Sequence, residues 1–340
     1  MLTIRKFIFY LLVLLVLFLV VPIKESQPVI ELEQGVKDKV MEVTDNGSVT
    51  DKALQLPDKQ AFSINNIQMN MTKKEVEDKL GEAQRVTSNE YGTKWYAYHS
   101  DEYKQFVMVS YIDNKVNALY TNQNIITSKS KIKYGTPKSV VRSRLGDPID
   151  RIKKGNANYL QDNDEYDTFL KDHIYTTVFY DEHNDNNLTS LLQISEEMED
   201  RLQQQYGAPS QSLAQSFELQ NFDLVNAERV QHGLNTLSYS EGISNTARKH
   251  SKDMAEHHYF DHENQSGKSP FDRLEDDGWH FNAAGENLAY GQMSSIYAHE
   301  GLMNSLGHRK NILKRQFSTL GVGVDFNDKR QPYWTENYTG

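Results

Sequence analysis

The segment Asn304-Ser305-Leu306-Gly307-His308-Arg309-Lys310-Asn311-Ile312-Leu313 decides how this chain is read, together with Tyr259-Phe260-Asp261-His262 and Gly285-Glu286-Asn287-Leu288-Ala289 upstream. Two imidazoles, His262 and His308, and one carboxylate, Glu286, are the material of a zinc site or a small acid/base site. Each has a structural reading when taken alone. A lone histidine after a helix packs or caps, and a carboxylate in a Gly-Glu-Asn turn accepts backbone amides.

The surrounding residues give the three segments a frame. Leu224-Val225-Asn226-Ala227-Glu228-Arg229 reads as an amphipathic helix stopped at Gly233. A second helix is expected over 241–258, ending just before His262. Ser269-Pro270 opens a third, with proline at its first position. A fourth covers 294–304, and Gly307-His308-Arg309 follows it. Gly321 to Phe326 and Tyr333 to Tyr338 read as the two closing strands, with Trp334 and Tyr338 on the inner face. Helices flanking a small antiparallel sheet make an α-β-α sandwich over 217–340.

The order of these segments resembles the CAP superfamily of cysteine-rich secretory, antigen 5 and pathogenesis-related proteins, in its cysteine-free bacterial branch. The resemblance implies the same α-β-α sandwich and a cleft lined by two His and two Glu, whose histidines can hold a divalent metal. His262, Glu286 and His308 match three of those positions. The fourth departs: the segment written Trp-x-x-Glu in animal members reads Leu302-Met303-Asn304-Ser305 here. Ser305 stands where the second Glu would be, and Glu300 lies one turn upstream as a candidate substitute. The cofactor implied is zinc or another divalent cation on His262 and His308. Glu286 is then a ligand, a partner that fixes an imidazole tautomer, or a general base on bound water.

Other candidates carry less. His250 and His257 are two helical turns apart, too far to share one metal, and with His258 read as packing or surface residues. Ser305 and His308 lack an orienting acid and a strained elbow for nucleophilic catalysis. Arg309, Asn311 and Leu313 read as supports for the motif's backbone and core. Trp279 reads as core or cleft rim.

The first residues set the compartment. Arg5-Lys6 precede an unbroken apolar run over 7–23, which spans roughly 25 Å as a helix against a hydrocarbon core of ~30 Å. The positive flank places the amino terminus inside and the rest of the chain outside. No small-x-small pattern follows the run, so we read 1–23 as a signal anchor, a single transmembrane helix at the cell membrane. Cleavage would instead make the protein secreted. The chain has no cysteine, which excludes disulfides, a thiolate nucleophile and Cys-ligated zinc. A formal charge of −10 with no Lys/Arg-rich run argues against nucleic acid as a partner.

Residues 24–60 are polar and aperiodic and read as a linker. Over 61–200 an internal repeat is visible. Ile67, Thr72, Lys73, Val76, Leu80 and Gly81 correspond to Ile132, Pro137, Lys138, Val141, Leu145 and Gly146 at a constant offset. Each copy predicts a short strand, a helix with a glycine stop, and strands after it. Thr72 with Glu75 is a capping box. Lys94 to Tyr98, Phe106 to Ile112 and Lys115 to Tyr120 are the strands of the first copy, with Asp113-Asn114 as a tight turn. Ile174 to Tyr180 and Leu188 to Ile194 are those of the second, whose 155–172 segment reads as a polar loop. Two tandem α+β units follow, resembling the CAP-associated domain that precedes bacterial CAP domains. Trp95, Tyr96, Tyr98, Tyr111 and Tyr120 read as core and sheet surface. Residues 196–216 read as a polar bridge.

The expected function is a cell-surface binding or interaction module for a protein, lipid or cell-wall ligand, in a cleft where metal is optional. The alternative is a metal-dependent extracellular peptidase or esterase, with zinc on His262 and His308 and Glu286 as general base. A third reading makes the repeat module the part that docks a partner.

Overall fold

Each copy of the repeat begins with a short strand and a helix that the local sequence stops cleanly. The structure, a computed structural model, describes residues 53–161 and 163–340. The expected anchor over 1–23 and most of the 24–60 linker lie outside the described residues. Strand β1 (Phe62–Ile64) pairs with β6 (Ile126–Ser128), one from each copy. Helix α1 (Lys73–Leu80) opens on the expected box. Glu75 N donates to Thr72 Oγ1 at 3.2 Å, and Thr72 N donates to Glu75 Oε2 at 2.7 Å. Its partner α2 (Lys138–Leu145) starts on Pro137 without a side-chain cap. Both end at a glycine of positive φ, Gly81 at 80° and Gly146 at 89°, where a residue with a Cβ would be strained.

The two copies do not form separate units. Strands β2 (Arg85–Ser88), β3 (Lys94–Tyr98), β4 (Val107–Ile112) and β5 (Lys115–Thr121) come from the first. Strands β9 (Tyr166–Lys171), β10 (Ile174–Asp181) and β11 (Asn187–Ser195) come from the second. They join into one seven-stranded antiparallel sheet in the order β2-β3-β4-β5-β11-β10-β9. The seam is the β5–β11 pair. Both strands are buried along nearly their whole length, so neither could serve as an exposed edge.

The expected polar loop over 155–172 is a second correction. It contains β8 (Ala157–Leu160), which forms a hairpin with β7 (Arg151–Lys154), and the edge strand β9. Asp167 and Thr168 of β9 are buried and partnered inside the fold. Arg142 makes two hydrogen bonds to Asp167, at 2.8 and 2.7 Å, and Thr168 and Thr177 share one at 3.0 Å. A strand lined this way carries no alternating apolar signal.

In the carboxyl-terminal half, β12 (Ser238–Tyr239), β14 (Thr319–Phe326), β15 (Pro332–Thr339) and β13 (Ala284–Tyr290) form a sheet in that order. Helix α4 (Gln211–Gln231) covers one face, with Phe217 stacked on Trp334 at 5.9 Å. Helix α5 (Glu241–His257) covers the other. It lies so close that a Cβ on Gly323 would meet Arg248 N at 2.1 Å. The α-β-α sandwich is as expected. Helix α6 (Pro270–Asp276) joins α5 to β13, while α7 (Ser295–Asn304) and α8 (Leu306–Ile312) join β13 to β14.

The bridge over 196–216 holds a one-turn helix α3 (Glu196–Glu199) and the start of α4, which therefore begins well before the expected helix at Leu224. Its amphipathic pattern fails because α4 is buried on nearly every side. The face that reads as solvent-exposed packs against the repeat sheet. Leu224 and Ala227, with Ile296 of α7, share an apolar cluster with Trp95, Met108 and Tyr120. Asp223 accepts from Arg85 Nε and from Tyr103 Oη, both at 2.8 Å. Gln220 Nε2 donates to Thr87 Oγ1 at 2.9 Å and to Ser88 O at 2.7 Å. The halves thus share a continuous core, with buried polar groups paired across it.

Candidate functional site

Helix α5 ends on His258 in the left-handed region, φ 56°, which turns the chain back over the sheet. His250 is buried, and its Nε2 bonds to Asp261 O at 2.9 Å. It packs the loop that delivers His262 and is not part of the site. From α6, Arg273 Nη1 donates to His262 O at 2.7 Å and to Lys268 O at 3.0 Å, while Nη2 donates to Glu286 Oε2 at 2.5 Å. One guanidinium therefore holds both the loop and the carboxylate.

Glu286 lies on strand β13, opposite Asn337 of β15, and not in a turn. Its neighbours Asn287, Glu336 and Asn337 are also buried and polar, so the segment lacks the alternation that marks a strand. Glu286 Oε1 accepts from His262 Nδ1 at 2.9 Å. This hydrogen bond, reinforced by the carboxylate's charge against partial desolvation, raises the pKa of His262. A carboxylate oxygen that accepts this bond puts the proton on Nδ1 of the half-exposed ring.

His308 follows α7, as expected, and sits in the first turn of α8. Its Nδ1 is 2.7 Å from Ser305 Oγ. Burial lowers its pKa; the charge of Glu336 opposes that shift and the charge of His262 adds to it. The turn is pinned to the sheet from beneath. Asn287 Nδ2 donates to His308 O at 3.2 Å and to Glu336 Oε2 at 2.9 Å. Asn311 Nδ2 donates to Asn287 Oδ1 at 2.9 Å and to Glu286 O at 3.2 Å. Tyr338 Oη completes the set with a 2.6 Å bond to Glu336.

Sequence reading finds His262, Glu286, His308 and the supporting role of Asn311. It misses Arg273, Asn287 and Glu336. The signal for Arg273 is chemical: a carboxylate buried on a strand needs a cation, and Pro270-Phe271-Asp272-Arg273 supplies one nearby. Arg309 is corrected. It does not hold its own motif but pairs with Asp181 of the repeat sheet at 2.8 Å. Glu300 does not face the cleft either. It accepts from Tyr120 Oη, and burial pushes its pKa up to about 7. Ser305, not Glu300, is the residue beside His308.

Between the two halves lies a cavity of about 630 Å³, within the roughly 300–1,000 Å³ usual for ligand pockets. His308 and Ser305 form part of its wall, with Tyr290 to Met293 and Tyr297 beside them. The β7–β8 hairpin and the β9–β10 face close the opposite side. Among the described residues no group of three or more His, Asp or Glu side chains is placed to hold a metal. Glu286 has both oxygens engaged, one by a guanidinium, so two imidazoles are what the site can offer a cation.

A sheet packed between helices, with Glu286 on its strand β13, His262 on the loop after α5 and His308 on α8, defines a CAP-fold protein. Residues 222–338 match the cysteine-rich secretory protein family and residues 69–206 the CAP-associated N-terminal family. The chain therefore carries a CAP-associated N-terminal domain ahead of a CAP domain. It is 28% identical to the uncharacterized membrane protein YlbC of Bacillus subtilis (strain 168), over 90% of this chain and 91% of that one. The same organism's protein YkwD is 39% identical over 129 residues, 38% of this chain and 49% of YkwD. Among solved structures, an extracellular SCP-domain protein from Bacillus anthracis str. Ames superposes with a TM-score of 0.69 at 25% identity, covering 86% of this chain and 99% of that one. A cysteine-rich secretory protein from Staphylococcus aureus subsp. aureus Mu50 shares the fold, with a TM-score of 0.57 at 17% identity over 80% and 93% of the two chains.

Proposed function

We propose that this chain is an exported binding protein, tethered to the cell membrane by residues 1–23, whose His262–Glu286–His308 cleft receives a ligand outside the cell. The observation that carries the reading is the state of Glu286. Its two oxygens accept from His262 Nδ1 and Arg273, which suits it to orienting the ring and the loop. The tether rests on the apolar run over 7–23 and on the membrane and extracellular descriptions of the relatives.

A divalent cation, where present, would sit on the Nε2 atoms of His262 and His308, with Glu286 fixing the first ring. Such an ion would polarise a ligand oxygen bound beside it. Two imidazoles fit a loosely held, exchangeable ion and not the three protein ligands usual for catalytic zinc, so no reaction step is assigned to it.

The test is turnover. The full-length chain in lipid nanodiscs, with added zinc, is assayed on peptide and ester substrates beside Glu286→Gln. Equal background rates are expected. Hydrolysis by the wild type that Glu286→Gln abolishes would overturn the binding reading in favour of the hydrolase.

A further inference from the structure

We propose that the cavity between the two halves is a binding site for an uncharged oligosaccharide bearing acetamido groups. The cavity shares His308 with the proposed cleft and is not itself lined by His262 or Glu286; the inference deepens the binding reading and rests on it, and three properties of the wall lead to it.

The first is its rings. Tyr159, Tyr166 and Tyr175 approach from the repeat sheet and its hairpin, and Phe260, Tyr290 and Tyr297 from the CAP domain. Tyr166 and Tyr297 meet edge-on at 5.3 Å where the halves touch, and Phe260 and Tyr290 lie 5.8 Å apart. The mouth leaves apolar surface in water: Leu160 is 70% exposed, Phe260 49% and Tyr290 37%. Grouped exposed apolar side chains around a concave wall mark a binding surface. Tyrosine adds a hydroxyl to each apolar face, which suits the alternating C–H faces and hydroxyls of pyranose rings.

The second is its amides. Gln161, Asn163, Gln205 and Gln292 line the same space. Asn163 Nδ2 and Gln292 Oε1 are buried with no hydrogen-bond partner among the described residues. One is a donor and the other an acceptor. An acetamido group presents the converse pair, a carbonyl that accepts and an N–H that donates. An acyl chain in the same place would leave both atoms unsatisfied.

The third is charge. Lys154, on the wall, is neutralised by Glu199 at 2.5 Å with both side chains buried. No unpaired cation among the described wall residues recommends an anionic headgroup or a phosphate. The size of the cavity suits several linked rings better than one.

Calorimetric titration of the full-length chain in lipid nanodiscs with tetra-N-acetylchitotetraose tests this, beside cellotetraose, a neutral tetrapeptide and palmitate. The expected result is saturable one-to-one binding of the acetamido sugar, at least tenfold tighter than cellotetraose. A loss of at least tenfold is expected in Tyr290→Ala and in Gln292→Leu, the second of which keeps the side-chain volume. Absence of saturable binding, affinities equal in both variants, or tighter binding of the peptide or of palmitate would overturn the ligand class. Those outcomes leave the binding reading standing, since only turnover dependent on Glu286 removes it.

Discussion

Arg273 Nη2 and Glu286 Oε2 meet at 2.5 Å with both side chains almost fully buried. The same guanidinium holds the His262 backbone, so a single ion pair sets the strand, the loop and the ring together. Removing one partner of such a pair leaves an uncompensated charge, at a cost of roughly 3–5 kcal/mol. Arg273→Met is therefore expected to lower chemical-denaturation stability by that order. Arg273→Met combined with Glu286→Gln should cost less than the Arg273 change alone. A double variant less stable than the single would contradict the pairing.

Glu300 predicts a pH effect at the junction of the halves. It faces Tyr120, His299, Glu228 and Ser190. Burial raises its pKa from 4.5 to about 7. Between those values the folded chain keeps a proton that the unfolded chain has released, so stability falls as pH rises through the window. Glu300→Gln removes this loss. Its stability relative to wild type should rise by up to about 3 kcal/mol between pH 4.5 and pH 8. Denaturation midpoints across that range give the answer, and a flat difference would contradict it.

The shared core predicts joint unfolding. Leu224 is fully buried in the cluster that spans α4, α7 and the repeat sheet. Leu224→Ala should cost about 2–5 kcal/mol and shift one calorimetric transition downward as a whole. Two transitions in the wild type, only one of them moved by the variant, would show that the halves unfold independently.

Two glycines should behave differently. A Cβ on Gly323 meets the α5 backbone at 2.1 Å, whereas Gly233 has open space and a φ of +66°. Gly233→Ala should cost roughly 1–2 kcal/mol, the strain of the left-handed backbone. Gly323→Ala should cost more, because a helix must move. Thermal shifts of the two variants provide the comparison.

The parts of the fold legible in the sequence are those that local chemistry specifies. Thr72 and Glu75 mark a helix start and Gly81 and Gly146 mark two stops. Asp113 and Asn114 both adopt positive φ, at 47° and 59°, as the tight turn between β4 and β5 requires. What escaped is non-local. Nothing along the chain tells β5 to pair with β11. Asp223, Glu228 and Gln220 look like a solvent face until the repeat sheet covers them. Strands β9 and β13 carry buried Asp167, Glu286 and Asn287, whose partners sit on other elements, so alternation fails there. In the site, His262, Glu286 and His308 are visible as residue types. That Glu286 is held by Arg273, and that Glu300 faces the other half, depends on packing alone.

The most direct test of a two-imidazole cleft with a locked carboxylate is a zinc titration of the full-length chain, wild type beside His262→Ala/His308→Ala. One site of micromolar or weaker affinity is expected in the wild type, absent in the double variant. Nanomolar binding would demand a third protein ligand and contradict it, as would binding indifferent to the loss of both histidines.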